Sequence, residues 1–270
     1  MRRRFFVPEI RRGAAQLTGP DAEHLVRVLR VQPGQLFEIS DNRDLYLAEI
    51  DLARKSLVSF RILEKLDLPS PALNLTLATA LFKFDRFEWL IEKATELGVS
   101  TIQPFEAART DPGLAHASAK RLARWEKVAL AASQQSRRAR LPSIQPTVRL
   151  AKALQLNANV RLQLDENPDV PPILQHLPQN RTAADHVALL LGPEGGWTED
   201  ERQQARAAGW IPGSFGKTIL RAETAAIAGL AIIQAAWAVG RTSSSAPDVP
   251  VRPIPEPQPP EPVSPPPESS

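Results

Sequence analysis

Residues 192–196 read Gly-Pro-Glu-Gly-Gly and directly follow the apolar run HVALLL at 186–191. Three glycines in five residues carry a high backbone entropy cost, so this stretch requires positive φ angles or a close approach to its main chain. A tight turn would explain it, and so would a ligand lying against bare backbone. A second glycine turn, FGKT, occupies residues 215–218. The two turns predict a binding site made largely of main chain.

Several familiar chemistries are excluded by residue type or spacing. A P-loop needs a glycine five positions before Gly216, but position 211 is Ile, and residues 192–196 do not fit the dinucleotide fingerprint G-x-G-x-x-G. Cysteine is absent and the four histidines are scattered, so we expect no metal site and no thiolate chemistry. The nucleophile elbow of a serine hydrolase is missing. What remains is a site made of main chain, two glycine turns and a few charged residues. Such a site suits a ligand whose adenine and ribose are held by main-chain amides and carbonyls.

Strand-like and helix-like segments alternate from residue 72 onward, which predicts a mainly parallel sheet flanked by helices. The strand candidates are 74–81, 99–105, 160–166 and 186–191. The helix candidates are 85–97 with a capping box of Asp85 and Glu88, 118–136, 198–208 with a capping box of Thr198 and Glu201, and 219–240. Ligands of such sheets bind at the carboxyl ends of strands, and both glycine turns are expected there.

The ends of the chain have a different character. Residues 1–68 contain one short helix-like piece and three strand-like runs, QLFEIS, LYLAEID and SLVSFRILEKL, which predict a compact barrel. Pro69, Ser70 and Pro71 indicate a linker. The segment 245–270 holds eleven prolines and few large apolar residues, so it predicts a disordered tail. We therefore divide the chain into domains at 1–70 and 71–240 and a tail at 241–270.

Composition and charge limit the classes of protein to which this chain can belong. The apolar fraction of 43% and the charged fraction of 23% are those of a soluble globular protein, and no apolar run reaches membrane-spanning length. The absence of cysteine and of a signal peptide fits the cytoplasm. Residues 1–30 hold seven arginines against three acids, and residues 119–140 hold seven lysines and arginines against one acid. Each patch alone would be an ordinary solvated surface, but the pair favours a polyanionic partner such as nucleic acid.

Four segments in this order resemble the RsmE family. They are KFDRFEWLIEKATELGV (83–99), QQSRRARLP (134–142), LGPEGGWTEDE (191–201) and FGKTILRAETA (215–225), and the likeness covers residues 1–240. The family consists of SPOUT-class RNA methyltransferases that methylate N3 of a uridine in small-subunit ribosomal RNA. The resemblance implies a PUA-like RNA-binding barrel, followed by an α/β domain with a C-terminal trefoil knot. It also implies a homodimer and the cofactor S-adenosyl-L-methionine.

The resemblance assigns roles to individual residues. It implies a cofactor site formed by Leu191, Gly192, Pro193, Glu194, Gly195, Gly196, Phe215, Gly216, Ile219, Leu220, Thr224 and Ala225. The expected catalytic residues are Arg221, as the cation beside the uracil or its phosphate, and Glu223, preferred to Glu194 as the proton acceptor. An equally supported interpretation is that Glu223 caps the last helix, because acidic side chains favour the first turn. Basic patches and the Gln-Arg match together give the expected RNA contacts: Arg2, Arg3, Arg4, Arg11, Arg12, Arg124, Lys127, Gln135 and Arg138.

Two departures and two alternative functions stay open. Arg137 stands where the family usually has Gly, and FGKT replaces a commoner Leu-Gly-x-Arg. The alternatives are methylation of another RNA atom, such as a ribose 2′-hydroxyl, and a non-catalytic RNA-binding assembly factor. The N-terminal barrel weighs against the first, and the intact glycine loops weigh against the second.

Overall fold

The computed structural model describes residues 3–68 and 73–239. Within 3–68, six strands form one sheet in the order β1-β4-β5-β6-β3-β2, beside one helix. The elements are β1 Arg4–Phe6, β2 Ile10–Arg11, β3 Ala14–Thr18, α1 Gly19–Arg27, β4 Leu36–Ser40, β5 Leu45–Arg54 and β6 Leu57–Leu66. The expected helix and three strands are confirmed as α1 and β4 to β6. Strands β1 to β3 were missed because two to five residues are too few to show a clear alternation.

Within 73–239, a seven-stranded sheet has the order β10-β8-β7-β12-β11-β13, with β9 also paired to β8. All its pairings are parallel, as the alternation of elements predicts. The elements are β7 Asn74–Ala80, α2 Phe84–Glu96, β8 Thr101–Glu106, α3 Leu114–Ser118, α4 Leu122–Gln135, β9 Ser143–Ile144, β10 Val148–Arg149, α5 Leu150–Ala153, β11 Val160–Leu164, a 3₁₀ turn Ile173–His176, β12 His186–Leu191, α6 Glu199–Ala207, β13 Ile211–Gly213 and α7 Ala222–Val239.

Strand β12 is apolar from Val187 to Leu191 because both faces of this sheet are covered. Val187 and Leu189 pack in the core shared with α2, α4 and α7, whereas Ala188 and Leu190 pack in the core with Trp197 and Trp210. The registers pair Leu164 of β11 with Leu191 of β12 and with Gly213 of β13. The carboxyl ends of these three strands therefore meet at one edge of the sheet.

Helix boundaries differ from expectation in three places. The helix expected at 118–136 begins only at Leu122, as α4, and the short α3 precedes it as a separate helix. Helix α2 begins at Phe84 with Lys83 as its N-cap and no side-chain cap, so the capping box expected at Asp85 is wrong. Helix α7 begins at Ala222, three residues later than expected, which leaves residues 219–221 in an irregular segment. The capping box of Thr198 is confirmed, since its hydroxyl accepts from the Glu201 amide while the Glu201 carboxylate accepts from the Thr198 amide.

Arg4 links the first sheet to the turn that follows α4 and does not face outward. It is 6% exposed, and its Nε and Nη2 donate to Glu38 Oε2 at 3.0 and 2.6 Å. Its Nη1 donates to the carbonyl of Arg137, whose own Nη2 donates to Glu38 Oε1 at 2.7 Å. Arg137 has a φ of +57°, the left-handed region that glycine adopts most easily. The expectation that Arg4 contacts RNA is corrected, because its guanidinium is buried and already paired.

We expect Glu38→Gln to lower the free energy of unfolding at pH 7 by about 2 kcal/mol, since it removes the charge that both arginines share. Burial alone would raise the pKa of Glu38, but hydrogen bonds and charges from Arg4 and Arg137 outweigh burial and hold it below its ordinary value. A carboxylate with a depressed folded-state pKa stabilises the fold above its unfolded pKa and loses this contribution as pH falls through the folded value.

Urea unfolding of both proteins at pH 7 and at pH 3 measures this difference. Glu49→Gln is the matched control, because Glu49 pairs with the largely exposed Arg61 of the same sheet and such pairs contribute about 0–1 kcal/mol. A stability gap for Glu38→Gln that is as wide at pH 3 as at pH 7 would contradict the role of its charge.

Candidate active site

A cavity of about 440 Å³ opens at the carboxyl ends of β11 and β12, beside the start of α7. Its walls come from the ends of β11 and β12, the loop 192–197 after β12, and the segment 215–225 that enters α7. The lining residues are Leu164, Asp165, Glu166, Leu191, Gly192, Pro193, Glu194, Gly195, Gly196, Trp197, Phe215, Gly216, Thr218, Ile219, Leu220, Arg221, Ala222 and Ala225. The two glycine turns, separated by about twenty residues in the sequence, thus form one site.

The lining includes every residue expected to bind the cofactor except Thr224. Thr224 is exposed on the first turn of α7 and is absent from the cavity wall, so its cofactor contact stays a prediction. A helix turns about 100° per residue, which places Ala225 on the cavity side and Thr224 away from it. Leu164, Leu191, Phe215 and Ile219 give the cavity an apolar wall suited to a flat ring.

The loop 192–197 packs closely against the protein's own side chains. A Cβ on Gly192 would stand 2.7 Å from the indole of Trp197, and a Cβ on Gly195 would stand 3.2 Å from Cβ of Arg109. Gly196 has a φ of +74° and no room beside the carboxylate of Glu166. The close approach predicted for these glycines exists, but in this structure the approaching groups belong to the protein.

Two acidic residues of the wall were missed by sequence reasoning. Asp165 and Glu166 follow the last residue of β11, and both accept hydrogen bonds from Arg202, at 2.9 Å to Asp165 Oδ2 and 2.6 Å to Glu166 Oε1. Glu166 Oε1 also accepts from the Trp197 amide at 3.1 Å. The available signal was two acids directly after a buried strand, at the strand end where a ligand is expected.

The three residues considered for chemistry occupy different surroundings. Arg221 is exposed and lines the cavity just before α7. Glu194 also lines the cavity, and its carboxylate is paired with Arg86 of α2. Glu223 is 5% exposed and lies outside the wall, and its Oε2 has no hydrogen-bond partner in the described part of the chain. A buried oxygen of this kind is usually hydrogen-bonded, so its missing partner singles out Glu223.

The remaining basic candidates fall into two groups. Arg3, Arg11 and Arg12 are exposed on the first sheet's domain, whereas Arg2 lies outside the described residues. Arg124, Lys127 and Gln135 are exposed on α4, with Arg124 Nε 3.2 Å from Glu88 Oε2.

Arg138 differs from these residues because it is half-buried. Its Nη1 donates to the Thr95 carbonyl at 2.8 Å, and its Nε donates to the Arg140 carbonyl at 3.1 Å. Burial lowers the pKa of Arg138 to about 10. Arg138 thus donates a hydrogen bond to the last turn of α2. This geometry gives no support to its expected RNA contact.

Neither a metal site nor a membrane segment is found in the described parts of the chain. Residues 3–68 and 73–239 contain no group of three or more His, Asp or Glu side chains arranged to hold a metal ion. Over the same ranges, none of the helices combines the length and the apolar character that crossing a membrane requires.

Family comparison defines the class of this protein. An RNA methyltransferase domain matches residues 69–234, and an RNA methyltransferase PUA domain matches residues 17–63. The fold expected from the resemblance is confirmed to this extent: a PUA-like N-terminal domain precedes a parallel-sheet methyltransferase domain. The protein is therefore of the RNA methyltransferase class.

Individual relatives narrow the class to a family. The ribosomal RNA small subunit methyltransferase E of a Synechocystis species is 35% identical over 81% of this chain and 72% of that protein. The protein of that name from Mesomycoplasma hyopneumoniae is 31% identical over 83% of this chain and 95% of that protein. The crystal structure of the Neisseria gonorrhoeae enzyme of that name, bound to S-adenosyl methionine, matches with a TM-score of 0.76 at 31% identity, covering 88% of this chain and 98% of that one. The chain belongs to the ribosomal RNA small subunit methyltransferase E family.

Proposed function

We propose that this protein transfers the methyl group of S-adenosylmethionine to N3 of a specific uridine in small-subunit ribosomal RNA. The observation that carries the proposal is the cavity itself, in which the loop 192–197 and the segment 215–225 come together. The cavity is large enough for a nucleoside, and its apolar wall suits an adenine. A family member with that cofactor bound supports the same ligand here.

The residues fit a transfer that needs no metal. The cofactor supplies an electrophilic methyl group on a sulfonium, and the uridine N3 must lose its proton to become the nucleophile. Arg221 stands at the cavity wall, where its cation would stabilise the negative charge that develops on the uracil. Glu223 is the proposed proton acceptor, because its buried Oε2 has no hydrogen-bond partner among the described residues and it belongs to the turn of α7 that carries the wall residues Ala222 and Ala225. Glu194 is less suited to this role because Arg86 already pairs with it.

We infer the remaining properties from the family. The chain divides near residues 69–72 into an RNA-binding and a catalytic domain of the SPOUT type. The trefoil knot is inferred from the family alone. The homodimer is likewise inferred from the family. The cytoplasm, where ribosomes assemble, is the proposed location. The expected disordered tail lies outside the described residues.

Nucleoside mass spectrometry of ribosomal RNA from a deletion strain tests the activity. We expect 3-methyluridine to disappear from small-subunit RNA and to return when the gene is restored, but not when Glu223→Gln is supplied. The Glu223→Gln protein should still bind S-adenosylmethionine in calorimetry. Loss of a 2′-O-methylated nucleoside would instead favour the other RNA atom, and an unchanged nucleoside profile would favour the non-catalytic assembly factor.

The exposed cations of α4 give a prediction about RNA binding. We expect the double variant Arg124→Glu and Lys127→Glu to weaken binding of small-subunit RNA and to reduce the slope of log K against log salt by about 1–2, because fewer counterions are released. Filter binding across a salt series measures the slope. Arg206→Glu on α6 is the control, because α6 packs on the opposite face of the sheet. An unchanged slope in the double variant would mean that these residues are an ordinary solvated surface.

A further inference from the structure

Arg109 lies outside the cavity wall, yet it holds the loop 192–197 that forms much of that wall. Its Nη1 donates to the Gly195 carbonyl at 2.7 Å and lies 3.5 Å from the Trp197 carbonyl. The aliphatic part of Arg109 fills the space where a side chain on Gly195 would stand, with its Cβ at 3.2 Å and its Cδ at 3.4 Å. Gly195 therefore contacts Arg109 on the side away from the cavity.

The backbone that carries Arg109 is itself fixed. The Ala108 amide donates to Glu201 Oε1 at 2.8 Å, and Glu201 is the acid of the α6 capping box. The Ala107 amide donates to Thr110 Oγ1 at 2.9 Å, and the Thr110 amide donates back to the Ala107 carbonyl at 3.1 Å. The turn that presents Arg109 is thus tied both to itself and to the start of α6.

The hydrogen bond from Arg109 sets the orientation of the peptide group between Gly195 and Gly196. A peptide flanked by two glycines meets little steric resistance to rotation, so its orientation must be set by hydrogen bonds. Its carbonyl is held by Arg109, and its amide donates to the Pro193 carbonyl at 2.9 Å. Loss of the Arg109 bond would leave one end of this peptide free to turn, and the wall would no longer be preorganised for its ligand.

We infer that Arg109 is a positioning residue for cofactor binding, which acts by fixing the main chain of the loop 192–197. The inference rests on the proposed function, because it takes the ligand of the cavity to be S-adenosylmethionine. Arg109 is itself exposed, so removal of its side chain is compatible with a folded protein.

Calorimetric titration of the full chain with S-adenosylmethionine tests this role. Arg109→Met keeps most of the aliphatic stem and removes every donor, and we expect it to raise the dissociation constant about tenfold, the equivalent of one hydrogen bond to a charged donor. Arg109→Lys restores one donor and should recover part of the affinity. With ribosomal RNA as the second substrate, KM for the cofactor should rise in parallel while kcat at saturating cofactor stays within about twofold.

Arg61→Met is the matched control, because Arg61 also makes a 2.7 Å hydrogen bond at the surface but lies in the other domain. A merely structural role for Arg109 would lower the midpoint of urea unfolding and leave cofactor affinity unchanged, and that result would overturn the inference. If the wild-type protein itself bound no S-adenosylmethionine, the proposed function would fail together with the inference. Normal binding by wild type and by Arg109→Met would overturn the inference alone.

Discussion

Arg221→Ala is expected to lower kcat by about 10²–10³-fold and to leave the affinity for S-adenosylmethionine nearly unchanged. Arg221 is the exposed cation of the cavity wall, just before the first turn of α7. A deprotonated uracil carries its charge on the ring nitrogen and oxygens, so a cation at this wall stabilises the transition state more than the ground state. Single-turnover methylation of small-subunit RNA, with cofactor binding measured separately, gives both quantities.

Two further variants separate the possible roles of this cation. Lys217→Ala is the matched control, because Lys217 is an exposed cation of the same segment that does not line the cavity, and its kcat should stay within a few-fold of wild type. Arg221→Lys should recover most of the rate if charge alone matters and little if the planar guanidinium is needed. Normal kcat with weakened RNA affinity in Arg221→Ala would move the residue to a phosphate contact. Loss of cofactor binding would place it in the other half of the site.

Ala225→Phe is expected to abolish detectable binding of S-adenosylmethionine while the protein stays folded. Ala225 lies in the first turn of α7 and forms part of the cavity wall, so an added ring would occupy space that the cofactor needs. Ala225 also packs against the core, so we expect the added ring to have a modest cost in stability besides filling the cavity. Calorimetric titration measures the affinity, and urea unfolding checks that stability falls by no more than the 1–3 kcal/mol typical of overpacking.

Thr224→Phe is the matched control for this variant. It adds the same ring one residue earlier on the same helix, at an exposed position outside the cavity wall. We expect its cofactor affinity to remain within about twofold of wild type. Equal loss in both variants would mean that the start of α7 is simply intolerant of bulk, and undiminished binding by Ala225→Phe would mean that the cofactor lies elsewhere.

Much of the local structure could be read from the sequence because local interactions specify it. The continuous apolar run at 186–191 predicts a strand buried on both faces, and Thr198 with Glu201 predicts the start of α6 through hydrogen bonds that span only three residues. The start of α7 was misjudged because residues 219–221 have an apolar and basic composition that a helix also accepts. Asp85 was wrongly predicted to be the N-cap, because the residues of a single turn do not determine at which position a helix begins.

The sequence by itself determined the type and order of the main elements and the position of the two glycine turns at strand ends. It also showed the change from strand-like runs in residues 1–68 to alternating strands and helices from residue 72 onward. The tertiary structure alone decided which side chains meet. Arg4 reaches Glu38 and the carbonyl of Arg137 across 34 and 133 positions of sequence, and Arg109 reaches Gly195 across 86.

Such contacts depend on strand order and on the direction of each side chain. The periodicity of apolar residues along the sequence specifies neither of these. Thr224 and Ala225 stand next to each other in one motif, yet only Ala225 faces the cavity. The glycines of the loop 192–197 were recognised from sequence as positions of close approach. Only the packed chain identifies Trp197, Arg109 and Glu166 as the groups that approach them.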